Sequence, residues 1–251
     1  MQVAGPGAGA AVWTVYATSA ASPRLGAVPL SLPAARPSPS GFFVVLEGGD
    51  GAGKSTQVDL LVRRLRSTGR EVVATREPGG TRVGADIRRV LLHGEEVAPR
   101  AEALLFAADR AHHVRTVVAP ALDRGAVVVS DRYMDSSIAY QSVARGLDAE
   151  DVRALSLWAT EGLLPHLTVV LDVSPAIGRA RRDGDPDRLE SEDEMFHARV
   201  RRGFLDLADA EPDRYLVVDG ADDPRRIHQT ITDRIHRMAP GLLPDHAEGH
   251  L

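Results

Sequence analysis

No cysteine occurs among the 251 residues, which excludes disulfides, thiolate nucleophiles and cysteine-held zinc or iron–sulfur centres. Redox chemistry therefore leaves the compartment open, and cytoplasm fits. Nor does any apolar run approach the roughly 20 residues that a membrane-crossing helix needs, so a soluble chain with no membrane partner is expected. A basic surplus is missing as well, since 35 acidic side chains against 30 basic ones leave a formal charge of −5. Without a global positive field nucleic acid is not an expected partner, and any polyphosphate must be held by local basic clusters.

Acids are absent from residues 1–41, a stretch crowded with Ala, Pro, Gly and Ser in which Arg24 and Arg36 are the only charged side chains. Such a composition lacks the periodic apolar residues that build a core, and the segment is expected to be a disordered extension. Residues 1–11 carry no Lys or Arg, unlike the basic start of a secretory signal. An upstream translation start and a transit peptide explain the same letters. At the other end, residues 240–251 show no periodicity and are expected to form a flexible tail.

What is present begins at Phe42. Five short β-branched runs, 42–47, 71–75, 126–130, 167–172 and 215–219, read as strands buried on both faces. Between them, apolar residues recur at three and four over 54–67, 82–92, 100–122, 148–161, 175–182, 193–210 and 224–238, the spacing of helices. Alternation of this kind predicts an α/β fold with a parallel sheet and crossover helices, in one domain over residues 42–239. Hydrophobic content of 43% is enough for one sizeable core.

Directly after the first strand stands GGDGAGKST, composed of Gly48, Gly49, Asp50, Gly51, Ala52, Gly53, Lys54, Ser55 and Thr56. It satisfies the phosphate-loop pattern in the strand–loop–helix context that the pattern requires. Glycines let backbone N–H groups turn toward phosphates, Lys54 reaches the terminal ones, and the Ser55 hydroxyl ligates Mg²⁺. Lys54 is expected to be exposed, contributing charge rather than packing. Such loops serve GTPases, motor ATPases and small-molecule kinases alike, so further motifs must decide. The N-K-x-D pattern of guanine-reading switches does not occur.

REPGGT follows the second strand (residues 76–81), Arg88 lies on the next helix, FAADR spans 106–110, and SDRYMDSSIAYQ closes the third strand at 130–141. Arg132, just past a buried strand, can fork two N–H bonds onto an acceptor phosphate, with Arg88 as a second positive contact. Asp131 ends the strand where such enzymes keep the carboxylate that orients Mg²⁺. The plain alternative is an Asp131–Arg132 ion pair. Phe106 and Arg110 lie four apart and present together on one helical face, although core packing of Phe106 reads equally from that spacing. His112 and His113 have no third ligand at metal spacing and are expected at the surface.

These motifs, in this order and over residues 42–239, resemble those of bacterial thymidylate kinases. The resemblance implies the P-loop NTPase three-layer sandwich: a five-stranded parallel sheet flanked by helices, with a short arginine-rich lid over about 178–191. It implies ATP as donor, Mg²⁺ as cofactor, dTMP as acceptor and a homodimer. By resemblance, Phe106 stacks on thymine, Arg110 bonds its O4, Gln141 serves the base edge, Asp50 holds the sugar 3′-hydroxyl, and Ser136 and Ser137 flank the sugar.

The family divides between members with a basic residue in the phosphate loop and members with arginines in the lid. With Gly51 in the loop, this chain resembles the second kind. Among Arg179, Arg181, Arg182 and Arg188, Arg181 and Arg182 join Lys54, Asp50 and Arg132 as catalytic candidates. A solvated charge run is the plain alternative for the lid. Kinase action on another nucleoside monophosphate, or a nucleotide-switch role, are the competing functions.

Overall fold

The computed structural model describes residues 40–182 and 184–243. All but Ser40 and Gly41 of the expected N-terminal extension, and residues 244–251 of the expected tail, lie outside the described residues. The chain begins with β1 (Phe42–Glu47), the phosphate loop, α1 (Lys54–Arg66), β2 (Val72–Arg76) and α2 (Arg82–His93). A long helical run follows as α3 (Pro99–His113), a π-helical turn (Val114–Val118) and α4 (Ala119–Asp123), and leads into β3 (Val127–Asp131). After β3 come α5 (Met134–Ser137), a second π-helical stretch (Ile138–Ala144), α6 (Ala149–Ala159) and β4 (Leu167–Asp172). The last elements are α7 (Pro175–Ala180), α8 (Glu194–Ala210), β5 (Tyr215–Asp219) and α9 (Pro224–Met238).

The five strands pair in the order β2-β3-β1-β4-β5, every pair parallel. Alternation along β1 explains why the sheet needs helices on both sides. Phe42, Val44 and Leu46 enter one cluster with Leu61 and Leu65 of α1 and Ile231 and Ile235 of α9. Phe43 and Val45 enter the opposite cluster with Val118, Leu122 and Tyr133. A third cluster joins Tyr140 to Phe196, Val200 and Phe204 of α8. Burial on both faces holds for β1, β3 and β4, but β2 and β5 are edge strands with alternating exposure.

Two elements differ from the expected pattern. The predicted continuous helix 100–122 is interrupted by a π turn, and the segment after Arg132, read only as a motif, is helical from Met134 to Ala144. That helix packs closely on α8, where a Cβ added at Gly203 would stand 3.2 Å from Ala139 Cα. Past α9 the chain stays packed as far as Leu243, which is buried in the cluster of α1 and α9.

Because the chain builds β2 and β3 on one side of β1 and then crosses to build β4 and β5 on the other, the carboxyl ends of the central strands form the crevice where open α/β sheets bind ligands. In-register pairing sets Asp131 beside Leu46 on one side and beside Arg76 on the other.

Candidate active site

The phosphate loop takes the left-handed conformation at Gly51 and Gly53, with φ of 75° and 95°, a geometry that favours glycine. At Gly51 there is a second reason. A Cβ there would lie 2.1 Å from the Gly178 carbonyl oxygen of α7, and a Cβ at Gly178 would lie 2.3 Å from the Asp50 carbonyl oxygen. Loop and lid helix thus meet backbone to backbone.

Lys54 is not exposed as expected. Its ammonium is buried and donates to the carbonyls of Gly48 (3.0 Å) and Gly49 (2.7 Å). Burial lowers its pKa, as does the Arg132 cation. The Ser55 hydroxyl donates to Asp131 Oδ2 at 3.0 Å, so a hydroxyl and a carboxylate converge at the mouth of the loop. Mg²⁺ takes one or two protein oxygens and completes its shell with phosphates and water, and this pair fits that demand.

Arg132 does not pair with Asp131. It occupies the left-handed region at φ 71°, uncommon for a residue with a side chain, and so aims back across the sheet edge. Its guanidinium donates to Asp50 Oδ1 (2.6 Å), the Gly48 carbonyl (3.1 Å), Ser136 Oγ (3.0 Å) and the Tyr140 hydroxyl (3.3 Å). Asp50 also accepts from the Tyr140 hydroxyl at 2.9 Å. Burial alone would raise the Asp50 pKa, but Arg132 and Lys54 hold it well below the carboxylate range.

The turn that carries Arg132 is held by Glu47, which is fully buried at the end of β1. Its Oε1 accepts from the amides of Tyr133 (2.8 Å) and Ser136 (3.2 Å), and its Oε2 accepts from Ser136 Oγ (2.6 Å). Burial and the Asp135 carboxylate push the Glu47 carboxyl up to about 7, against the pull of Arg132. Sequence reasoning missed Glu47, although a carboxylate inside FFVVLE was the signal.

Two hollows flank this group. A cleft of about 610 Å³ is lined by the phosphate loop from Asp50 to Thr56 and by Arg76, Asp131, Arg181, Gly220 and Asp222. A smaller cavity of about 100 Å³ is lined by Phe106, Ser136, Ser137, Tyr140, Gln141 and the lid residues Asp187 and Leu189. Asp50, Arg88, Arg132 and Glu190 line both. Tyr140 and Glu190 were not anticipated. Phe106 is half-buried at the cavity wall, where it also touches the third core cluster.

Arg110 lies behind that wall, fully buried. It donates to Glu77 Oε2 (2.8 Å), Ser137 Oγ (3.0 Å), the Tyr133 carbonyl (3.2 Å) and Ser156 Oγ (3.4 Å). His113, expected at the surface, is fully buried and bridges Glu77 Oε1 (2.8 Å) and Thr75 Oγ1 (2.6 Å). Helix phase explains the difference: Glu102, Phe106, Asp109, Arg110 and His113 form one stripe of α3 that turns inward.

Three of the lid arginines are held differently from one another. Arg181, exposed at the end of α7, donates to the Gly220 carbonyl at 2.7 Å across the large cleft. Arg182 turns to the Glu190 carbonyl at 3.3 Å. Arg188 bonds the Leu91 carbonyl at 2.8 Å and Glu102 Oε2 at 2.5 Å. No helix among the described residues is long and apolar enough to cross a membrane.

A family profile described as thymidylate kinase matches residues 46–231 of this chain. The chain belongs to the thymidylate kinase family. It is 59% identical over 203 residues to the thymidylate kinase of Clavibacter michiganensis subsp. michiganensis, covering 79% of this chain and 96% of that one. It is 58% identical over 210 residues to that of Leifsonia xyli subsp. xyli, covering 82% and 98%. The crystal structure of the Ehrlichia chaffeensis thymidylate kinase superposes with a TM-score of 0.67 at 30% identity, covering 79% of this chain and all of that one. The match spans the sheet, the phosphate loop and the lid, so membership in this kinase family rests on nearly the whole described fold.

Proposed function

We propose that this enzyme transfers the γ-phosphate of ATP to dTMP, giving ADP and dTDP. The observation that carries the reading is the meeting of a phosphate-loop cleft and a nucleobase-sized cavity at Asp50, Arg88, Arg132 and Glu190. ATP enters the large cleft, its phosphates over the amides of Gly49 to Thr56, its base toward Gly220 and Asp222. Lys54 leaves the carbonyls of Gly48 and Gly49 for the β- and γ-phosphates. Ser55 and Asp131 would hold Mg²⁺, which would supply neutralising charge to the donor phosphates.

The acceptor enters the smaller cavity, where Arg132 and Arg88 hold its phosphate, Phe106 and Gln141 meet the base with Arg110 behind, and Ser136 and Ser137 flank the sugar. Asp50 orients Arg132 and the sugar hydroxyl. A cavity of about 100 Å³ is smaller than a nucleotide, so Asp187, Leu189 and Glu190 withdraw with the lid to admit it. An acceptor phosphate oxygen then attacks the γ-phosphorus as the bond to the β–γ bridging oxygen breaks. That oxygen is already anionic, so no general base is needed. Arg181, already in the donor cleft, meets the developing charge, and lid closure excludes water.

ADP release measured against a panel of monophosphates tests this reading. Stimulation by dTMP above dCMP, dAMP and dGMP is expected, and release unaffected by dTMP would defeat it. We further propose a cytoplasmic homodimer. Helices α2, α3 and α6 form one packed layer that exposes Val90, Leu104 and Trp158, a face a second copy would cover. Leu104→Glu should shift the sedimentation coefficient to that of a monomer.

A further inference from the structure

Glu102 of α3 is wholly buried behind Gln141 and does not itself line the acceptor cavity. Its Oε1 accepts from Gln141 Nε2 at 3.0 Å and from Arg145 Nε at 3.4 Å, and its Oε2 accepts from Arg188 Nη2 at 2.5 Å. An ionised carboxylate only accepts hydrogen bonds. The two faces of the Gln141 amide are therefore distinguished by chemistry: the NH₂ must face Glu102. What Gln141 can offer the cavity it lines is its carbonyl oxygen.

We propose that Glu102 is a positioning residue that sets the pyrimidine selectivity of the acceptor cavity by fixing Gln141 as a hydrogen-bond acceptor, and that Arg188 docks the lid on the same carboxylate. The inference rests on the acceptor reading above and deepens it. Thymine and uracil present an N3–H donor on the edge that a carbonyl oxygen meets. Cytosine presents a lone pair at N3, which a fixed carbonyl repels. A free glutamine would flip its amide and tolerate either base, so selectivity on this edge requires the anchor behind it.

The lid shares this anchor. Arg188 lies within the lid segment and reaches over α2, where its amide donates to Leu92 O at 3.1 Å and its Nε to Leu91 O at 2.8 Å. Its Nη2 ends on Glu102. Arg145, a second cation on Glu102, is itself paired with Glu192 at 2.6 Å. The two oxygens are thereby divided, Oε1 taking Gln141 and Arg145 and Oε2 taking Arg188, so the lid can leave Oε2 while Oε1 still fixes the amide.

The test is the ratio of kcat/KM for dTMP to that for dCMP, with dUMP as a control that also carries N3–H. Glu102→Gln lets the paired amides flip, and the ratio should fall roughly 10- to 100-fold, the scale of one buried polar contact reversed, while dTMP to dUMP stays unchanged. Gln141→Ala should lower it similarly, and adding Glu102→Gln to Gln141→Ala should change it no further, as expected of residues that act through one another. Should Glu102→Gln not fold, Glu102→Asp keeps the charge for both arginines, withdraws from Gln141, and should lower the ratio in the same sense. Arg188→Ala should slow both substrates alike. A ratio retained in the Glu102 variants, independent losses in the double variant, or an equal loss of ratio in Arg188→Ala would overturn the proposal. An unmodified enzyme that ignores dTMP would instead defeat the acceptor reading itself.

Discussion

The two arginine groups that flank the phosphate loop are held in opposite ways. Arg132 is committed to four partners on three segments, its side chain only 16% exposed. Arg181 stands exposed on one bond to a backbone carbonyl, and Arg182 turns to Glu190. A guanidinium fixed before substrate arrives contributes equally to ground and transition states, whereas one brought in by closure can act chiefly on charge that develops during transfer. Rigidity marks the proposed acceptor side, and looseness marks the lid.

The contrast is tested most strongly by Arg181→Ala. If this residue meets transition-state charge, kcat should fall on the order of 10³-fold, the scale of arginine fingers, with KM for dTMP little changed. Steady-state kinetics on Arg181→Ala and Arg182→Ala together decide it, because an undiminished kcat in both would remove the lid from catalysis. Gly51→Ala probes the same lid from the loop side. Its Cβ has no room against Gly178 at the observed distance of 2.1 Å, and φ is 75°. Displacing α7 by an ångström should cost roughly 10²-fold in kcat, without the rise in KM that a lost phosphate contact gives. A fully active Gly51→Ala enzyme would show that loop and lid are not coupled.

On the rigid side, Arg132→Ala should raise KM for dTMP roughly 10- to 100-fold, the value of a charge-assisted bidentate contact. It should also destabilise the fold by about 1 to 3 kcal/mol, because the half-buried Asp50 loses its cationic partner and keeps only the Tyr140 hydroxyl. Urea denaturation of Arg132→Ala beside the Asp50→Asn, Arg132→Ala double variant separates the two effects, since neutralising Asp50 should restore much of the stability and none of the affinity.

Much of this division was legible in the sequence. The strand-flanked GGDGAGKST run marked the residues that line the large cleft, and REPGGT with DRY…AYQ marked much of the lining of the smaller cavity, because backbone-directed glycines and strand-end charges leave local signatures. Arg132's choice of Asp50 over its neighbour Asp131 was not legible, for it depends on one left-handed residue after β3. His113 was misplaced because adjacent histidines were read without helix phase, though spacing from Phe106 and Arg110 put His113 on the inward stripe. Glu102 gave no pattern at all, since its partners Gln141, Arg145 and Arg188 all lie far along the chain. The Gly51–Gly178 contact joins segments that only the fold brings together.

The mildest test concerns how the rigid side is kept rigid. Glu47 secures the turn beneath Arg132 by accepting from two amides and a hydroxyl, and its carboxyl is pushed up to about 7 from an ordinary 4.5. For an acid whose folded pKa exceeds its unfolded value, the folded state binds the proton more tightly, so the associated stability is fully present below about 4.5 and is lost as pH rises through about 7. Each pH unit in that window is worth about 1.4 kcal/mol at most. Asp135 and Arg132 also bear on this carboxyl, Asp135 raising its pKa and Arg132 lowering it, so the slope belongs to Glu47 only if a neutral isostere abolishes it. Glu47→Gln keeps an acceptor for the Tyr133 and Ser136 amides and removes the titration. Thermal melts of both proteins between pH 5 and pH 9 should therefore converge toward alkaline pH, with the unmodified protein losing the advantage it holds below pH 6. Parallel Tm profiles would mean that the carboxyl titrates outside this window, and that the Arg132 turn is held by a permanently charged Glu47.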